Sequence, residues 1–159
     1  MIRILTIALL CLPLVFLWGI RYGDRFLMVP AVLLILIYAW VWLRFRPSRF
    51  IVTSDALEVF WPLKYRQIPR SEISSVRQIN KEQLLQETGK GIRVGAGGLW
   101  GGFGWLWSEK RGIVQMYVSR ADGLVWIERT GKRAWLITPE DPERFVRALS
   151  NRPLLAGAG

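Results

Sequence analysis

Two long apolar runs open the chain, and a short alternating pattern replaces them after residue 47. Ile4–Ile20 and Phe26–Leu43 carry no charge, and each holds eleven Leu, Ile, Val or Phe residues. As helices they reach roughly 26 Å, close to the ~30 Å of a bilayer's hydrocarbon core. Insertion gains about 0.3–0.6 kcal/mol for each such residue, or roughly 3–7 kcal/mol per run, with no buried charge opposing it. Neither run has the polar face that a core helix of a soluble protein shows. The link Arg21-Tyr22-Gly23-Asp24-Arg25 is short enough to force antiparallel neighbours. Residues 1–46 therefore read as a transmembrane hairpin with spans of about 4–20 and 26–43.

Other uses of an apolar N-terminus fit less well. No small-x-small cleavage site follows the first run, and the second run begins at once, against a signal peptide. Leu9-Leu10 precede Cys11, where a lipoprotein signal needs a small residue. Pro13 and Pro30 are tolerable where neighbouring groups satisfy the freed carbonyls. Trp18, Tyr22, Tyr38, Trp40 and Trp42 lie near the run ends, where amphipathic rings favour the interface.

From Pro47 the period changes from 3.6 to 2. Arg49–Thr53 predicts a strand, Ser54-Asp55 a turn, and Leu57–Trp61 a second strand. Lys64–Ile68 continues it past Pro62, which marks an edge or a bulge. Ile73, Val76 and Ile79 predict a further, irregular strand, and Lys81–Glu87 one or two helical turns. Ile113–Ser119, Leu124–Arg129 and Arg133–Ile137 are strands separated by turns at Ala121-Asp122-Gly123 and Gly131-Lys132. Thr138-Pro139-Glu140-Asp141-Pro142 announces a helix, with Thr138 as the cap and Phe145, Val146 and Leu149 on its apolar face. Asn151 and Pro153 stop that helix, leaving residues 153–159 as a flexible tail. The fold class is thus mainly β: a small barrel or sandwich over residues 47–152, closed by a C-terminal helix.

The stretch from Ile92 through Gly95-Ala-Gly-Gly-Leu-Trp-Gly-Gly-Phe-Gly-Trp-Leu-Trp107, with Met116-Tyr117-Val118, Leu124–Ile127 and Trp135–Val146, resembles the bacterial pleckstrin-homology-like domain family. The resemblance covers roughly residues 50–150 and is strongest from Ile92 to Leu149. It implies a partly open β-barrel capped by the last helix, often behind membrane helices, with no catalysis and no transferable ligand residues.

Charge adds an orientation. The net charge is +10, shared equally between residues 1–49, with six basic side chains against one acid, and residues 50–159, with sixteen against eleven. Arg3, Arg44, Arg46 and Arg49 flank one side of the hairpin, and Arg21 and Arg25 the other, which places both termini and the domain in the cytoplasm. In the light of the resemblance, the membrane is a bacterial inner (plasma) membrane. A lone cysteine permits no intrachain disulfide, which suits a cytoplasmic domain.

The absence of histidine removes the commonest general base and metal ligand, and no Ser/His/Asp, Cys/His or metal-ligand spacing exists. No catalytic, cofactor or metal residue is assigned, and the chain reads as a non-enzyme without cofactors. Glu140, Asp141 and Glu143 sit at a helix start, where the dipole accounts for them. Gly95–Gly104 lacks the Lys-Ser/Thr of a phosphate loop. It reads as a tight turn or bulge packed by Leu99, Trp100, Phe103, Trp105 and Trp107. If exposed instead, Trp100, Phe103 and Trp105 are candidates for contact with lipid or another subunit.

Arg44, Arg46, Arg49, Lys64, Arg66 and Arg70 are candidate headgroup contacts, although the first three also serve as topology markers and the rest suit a solvated strand face. A nucleic-acid reader would concentrate its basic residues in a stripe or a known motif, and neither is present. The sequence thus leads to a non-catalytic, membrane-tethered module that binds a protein partner or assembles with copies of itself, the alternative being a sensor of anionic headgroups. A fluorescent protein fused at Gly159 is expected to be bright and alkaline phosphatase inserted at Gly23 active; the opposite pattern would invert the topology.

Overall fold

The computed structural model describes residues 2–23, 25–97 and 101–151, without the side chains of Ile2, Arg3 and Leu5. Arg3, Asp24, Leu99, Trp100 and the tail 153–159, which the sequence singles out, therefore lie outside the described side chains.

Helix α1 (Ile2–Arg21) and helix α2 (Met28–Arg44) pack against each other through a single turn, Arg25–Leu27. Pro13 has no N–H to give the Leu9 carbonyl one turn earlier. The Tyr38 hydroxyl donates to that carbonyl instead, at 2.7 Å. Tyr38 is therefore buried between the helices with Val41 and Leu9, not at a bilayer interface. Pro30 falls in the first turn of α2, where the N–H has no intrahelical partner anyway. Arg25–Arg44 is long and apolar enough to cross a membrane, and the described apolar part of α1, Thr6–Arg21, is shorter. Only 17 % of the apolar stretch within Arg25–Arg44 is buried, whereas a core helix is mostly buried.

Two sheets follow. The smaller is antiparallel, β1 (Arg49–Val52), β2 (Ala56–Trp61) and β3 (Lys64–Pro69), in that order. Pro62 does not interrupt a continuing strand. With Leu63 it makes a two-residue connection, Trp61 faces Lys64, and β3 folds back on β2. Proline's fixed φ and missing donor suit such a turn better than a ladder.

The larger sheet contains β4 (Ile73–Ile79), β5 (Gly91–Gly97), β6 (Gly102–Ser108), β7 (Gly112–Val118), β8 (Leu124–Arg129) and β9 (Lys132–Ile137). Their spatial order is β4-β8-β9-β7-β6-β5, and only β7 and β9 run parallel. Helix α3 (Lys81–Thr88) joins β4 to β5, capped by Asn80 and Gln83 in a reciprocal box. The irregularity expected in β4 is a register shift between Ile73 and Ser75.

In the glycine segment, residues 95–97 and 102–104 are not a turn or a bulge but parts of two paired strands, and residues 98–100 lie outside the described residues. Gly95 lies opposite Gly104, and Gly97 opposite Gly102. The two backbones approach each other closely there. A Cβ on Gly95 would fall 2.2 Å from the Phe103 carbonyl oxygen, and one on Gly104 2.3 Å from that of Val94. Both residues have φ near +135°, at +139° and +134°.

Helix α4 (Pro142–Ser150) is capped by Asp141, whose carboxylate accepts from the Arg144 N–H at 2.9 Å, and Pro142 fills the first turn. Thr138 is not the cap. It lies three residues upstream, where its Oγ1 accepts from the Ser119 N–H at 2.8 Å and ties the ends of β7 and β9 together. Phe145 and Leu149 turn inward, as the helical pattern requires, and α4 packs on β1, β4 and β8 along one seam of the two sheets.

The main core lies between the sheets and includes Leu57, Val59, Trp61 and Ile68 from the small one and Phe103, Tyr117, Val125, Ile127, Trp135 and Ile137 from the large one. A second cluster on the opposite face, with Leu106, Met116, Trp126 and Leu136, packs with Leu84 of α3.

Gly104→Ala is expected to cost about 2 kcal/mol or more, from a strained φ and a backbone clash. Gly97→Ala, where a Cβ would meet nothing within 4 Å, is expected to be nearly neutral. Thermal unfolding of both variants in detergent checks the contrast.

Candidate interaction surface

The domain has two unlike ends. At one, the Trp61 indole donates to the Phe45 carbonyl just past α2 (3.2 Å), the Ser48 N–H donates to the Phe60 carbonyl (2.6 Å), and Ala96 at the end of β5 packs on Tyr38 and Val41. A cavity of about 620 Å³ at this end is lined by Thr6 and Ile7 of α1 and by Phe103, Tyr117, Ser119 and Thr138. The far ends of the same strands carry Gly91, Ser108, Gly112 and Lys132. Seven extended residues, as in β7, put roughly 20 Å between the two ends.

The predicted basic residues divide accordingly. Arg44, Arg46 and Arg49 leave α2 at the hairpin end, with the guanidinium carbons of Arg44 and Arg46 at 5.6 Å and 4.1 Å from the ring centres of Trp40 and Trp42. Lys64 follows the β2–β3 turn there, its amine 5.2 Å from the ring centre of Trp61. Arg66 and Arg70 do not join them. The whole Arg70 fork is engaged on backbone carbonyls: Nε donates to Thr53 (3.0 Å), Nη1 to Asn151 (2.8 Å) and Nη2 to Ala148 (2.7 Å). A cation at a helix C-terminus is favourable, and here it latches α4 to the β1–β2 turn. Arg66 faces the far end, its guanidinium carbon 5.2 Å from the ring centre of Trp135.

The aromatic candidates also separate. Phe103 is 1 % exposed and packs in the main core, so it touches neither lipid nor another subunit. Trp100 lies outside the described residues. Trp105 is 44 % and Trp107 63 % exposed, and they do not pack around the glycines as core residues.

Register explains the difference. Phe103, Tyr117, Ile137 and Val125 form one row across the large sheet, and the small sheet covers it. Val94, Trp105, Gln115, Trp135 and Ile127 form the next row, covered only at Trp135 and Ile127. Ile92, Trp107 and Ile113 form a third, which is uncovered. One face of the large sheet is thus part core and part bare apolar surface. Phe103, Trp105 and Trp107 occupy alternate positions of β6 and so share a face, but nothing local reveals where the covering sheet stops.

Beside the bare strip, a cleft of about 1010 Å³ is lined by Trp105, Ile113 and Gln115 and by Arg66, Lys110, Arg111, Arg129, Lys132 and Arg133, with Glu128 the acid among its lining residues. Sequence reasoning missed most of this basic rim because its members come from β3, β8, β9 and the turn between β6 and β7. Glu72 accepts from Arg129 Nη2 (2.8 Å) and Lys132 Nζ (2.7 Å). Arg111 pairs with Glu87, and Glu87 with Arg77. Arg129 is buried, with its guanidinium carbon 5.4 Å from the ring centre of Trp135. Two buried donors, Arg129 Nε and Trp135 Nε1, have no hydrogen-bond partner among the described residues. No group of three or more Cys, Asp or Glu side chains among those residues is placed to hold a metal.

Two packed sheets with a helix along their seam, one face of the larger left partly bare, have the architecture of a PH-like domain. The profile of the family described as Bacterial PH domain matches residues 48–153, two thirds of the chain, and the protein belongs to that family. No curated protein and no solved structure matches it.

Hydrogen bonds from Lys132 and then Arg129 hold the Glu72 carboxyl below its ordinary pKa. A carboxyl depressed by folding stabilises the fold above its unfolded pKa and loses that effect as pH falls through its folded value. The stability gap between wild type and Glu72→Gln is therefore expected to shrink as pH drops through the carboxylate range, as read by unfolding midpoints from neutrality to acid.

Proposed function

We propose that this protein is a membrane-tethered, non-catalytic interaction module. The helical hairpin holds the domain at the cytoplasmic face of a bacterial inner membrane, and the bare strip of the large sheet receives a protein partner. The observation that carries this reading is the strip itself: Ile92, Val94, Trp105, Trp107 and Ile113 are exposed together on a face whose other half is core. Contiguous apolar surface of this kind marks interaction sites.

The strip and its cleft extend toward the end of the domain away from the hairpin, so the bilayer that holds α1 and α2 is out of their reach. That favours a protein over a headgroup as the recognised partner. Lipid contact belongs to the other end, where Arg44, Arg46, Arg49 and Lys64 add about 1 kcal/mol each to attraction by an anionic surface. There the bilayer anchors and orients the domain.

A photoreactive amino acid placed in cells at Trp107, at Leu63 in the hairpin-end turn, or at Glu82 on α3 tests the division. Protein adducts are expected at position 107 and lipid adducts at position 63. Lipid adducts at 107, or none above the level at 82, would overturn the reading.

A further inference from the structure

The small sheet ends at β3, whose outer edge pairs with no strand among the described residues. Arg66 of β3 lines the same cleft as Trp105, Ile113 and Gln115 of the large sheet. The free edge of one layer therefore stands directly beside the bare part of the other. A two-layer fold in this state lacks one strand: a chain paired to β3 would lie over Trp105, Trp107 and Ile113 and complete the sandwich.

The charge around that space describes the missing strand. Six cations line the cleft, and Glu72, Glu87 and Glu128 offset only part of them. Arg66 has the Trp135 ring as its contact, Arg133 is exposed, and Arg129 keeps a buried donor without an acceptor. A second copy of this chain would bring the same cations to face these. A free phosphate would leave the apolar strip unused, and the hairpin's own bilayer lies at the other end.

Resting on the protein-partner reading above, we propose that the partner contributes an extended, acidic segment that adds to the free edge of β3 as a fourth strand. Its alternate apolar side chains rest on Trp105, Trp107 and Ile113, and its carboxylates meet Arg66, Arg129 and Arg133. Strand addition draws affinity from main-chain hydrogen bonds and specificity from alternate side chains, which fits an apolar floor with a cationic rim.

The test uses the full chain in zwitterionic nanodiscs and a fluorescent pool of heptapeptides with Glu or Asp at odd positions and Val, Leu, Ile or Phe at even ones. Anisotropy is expected to show saturable binding that weakens with salt. At least a tenfold loss is expected with Gln in place of the acids, in Arg133→Glu, and in Trp105→Ala. Arg147→Glu, outward on α4, should leave binding unchanged and so control for general charge.

Failure of the acidic pool to bind, equal binding of the Gln pool, or full displacement by inorganic phosphate at millimolar concentration would overturn the proposal. So would a dimer that Ile113→Glu dissociates. If the pool fails while protein adducts at position 107 persist, the chemical class is wrong and the surface stands; if both fail, the surface itself is wrong.

Discussion

A three-stranded sheet cannot cover a six-stranded one. With strands about 4.8 Å apart, the outer strands of the small sheet are roughly 10 Å from each other and those of the large sheet roughly 24 Å. Helix α4 fills the shortfall on the side of β1 and β4 with Phe145 and Leu149. Nothing among the described residues does so on the side of β5, β6 and β7. The core, the bare strip and the basic cleft all follow from that mismatch. Trp135 marks the boundary, fully buried in the core yet with the cleft-lining Arg66 and Arg129 against its ring.

The hairpin gives the domain a direction. Trp61 on Phe45, Ser48 on Phe60 and Ala96 against Tyr38 and Val41 connect α2 to both sheets at one end. Such connections limit how the domain can swing, so a surface at the far end stays presented away from the helices. Within the hairpin, Tyr38 compensates for Pro13 by bonding the Leu9 carbonyl, which aligns α1 and α2 with a polar contact where few others are available.

The glycine hairpin shows how one residue type misleads when read locally. Seven glycines between residues 91 and 104 suggest a tight turn or a bulge. In the fold, Gly95 and Gly104 are opposite each other because two backbones cross too closely there for a Cβ on either. Glycine here permits strand pairing, and this depends on a partner residue nine positions away.

The chain's own pattern determined what depends on neighbours along the sequence. The apolar runs, the strands from Arg49 to Trp61 and from Ile113 to Ile137, the turns at Gly123 and Gly131, and the inward face of α4 follow from periodicity and turn chemistry that act over a few residues. Tertiary structure alone decided which half of an apolar face became core. Phe103 and Trp107 have the same parity on the same strand, yet one is sealed under the small sheet and the other is bare. Likewise Arg70 and Arg66 lie four residues apart, one spent on three carbonyls of distant segments and the other facing the cleft. The reason is physical: burial and pairing are set by what arrives from elsewhere in the chain, and a residue's own type and spacing do not specify it.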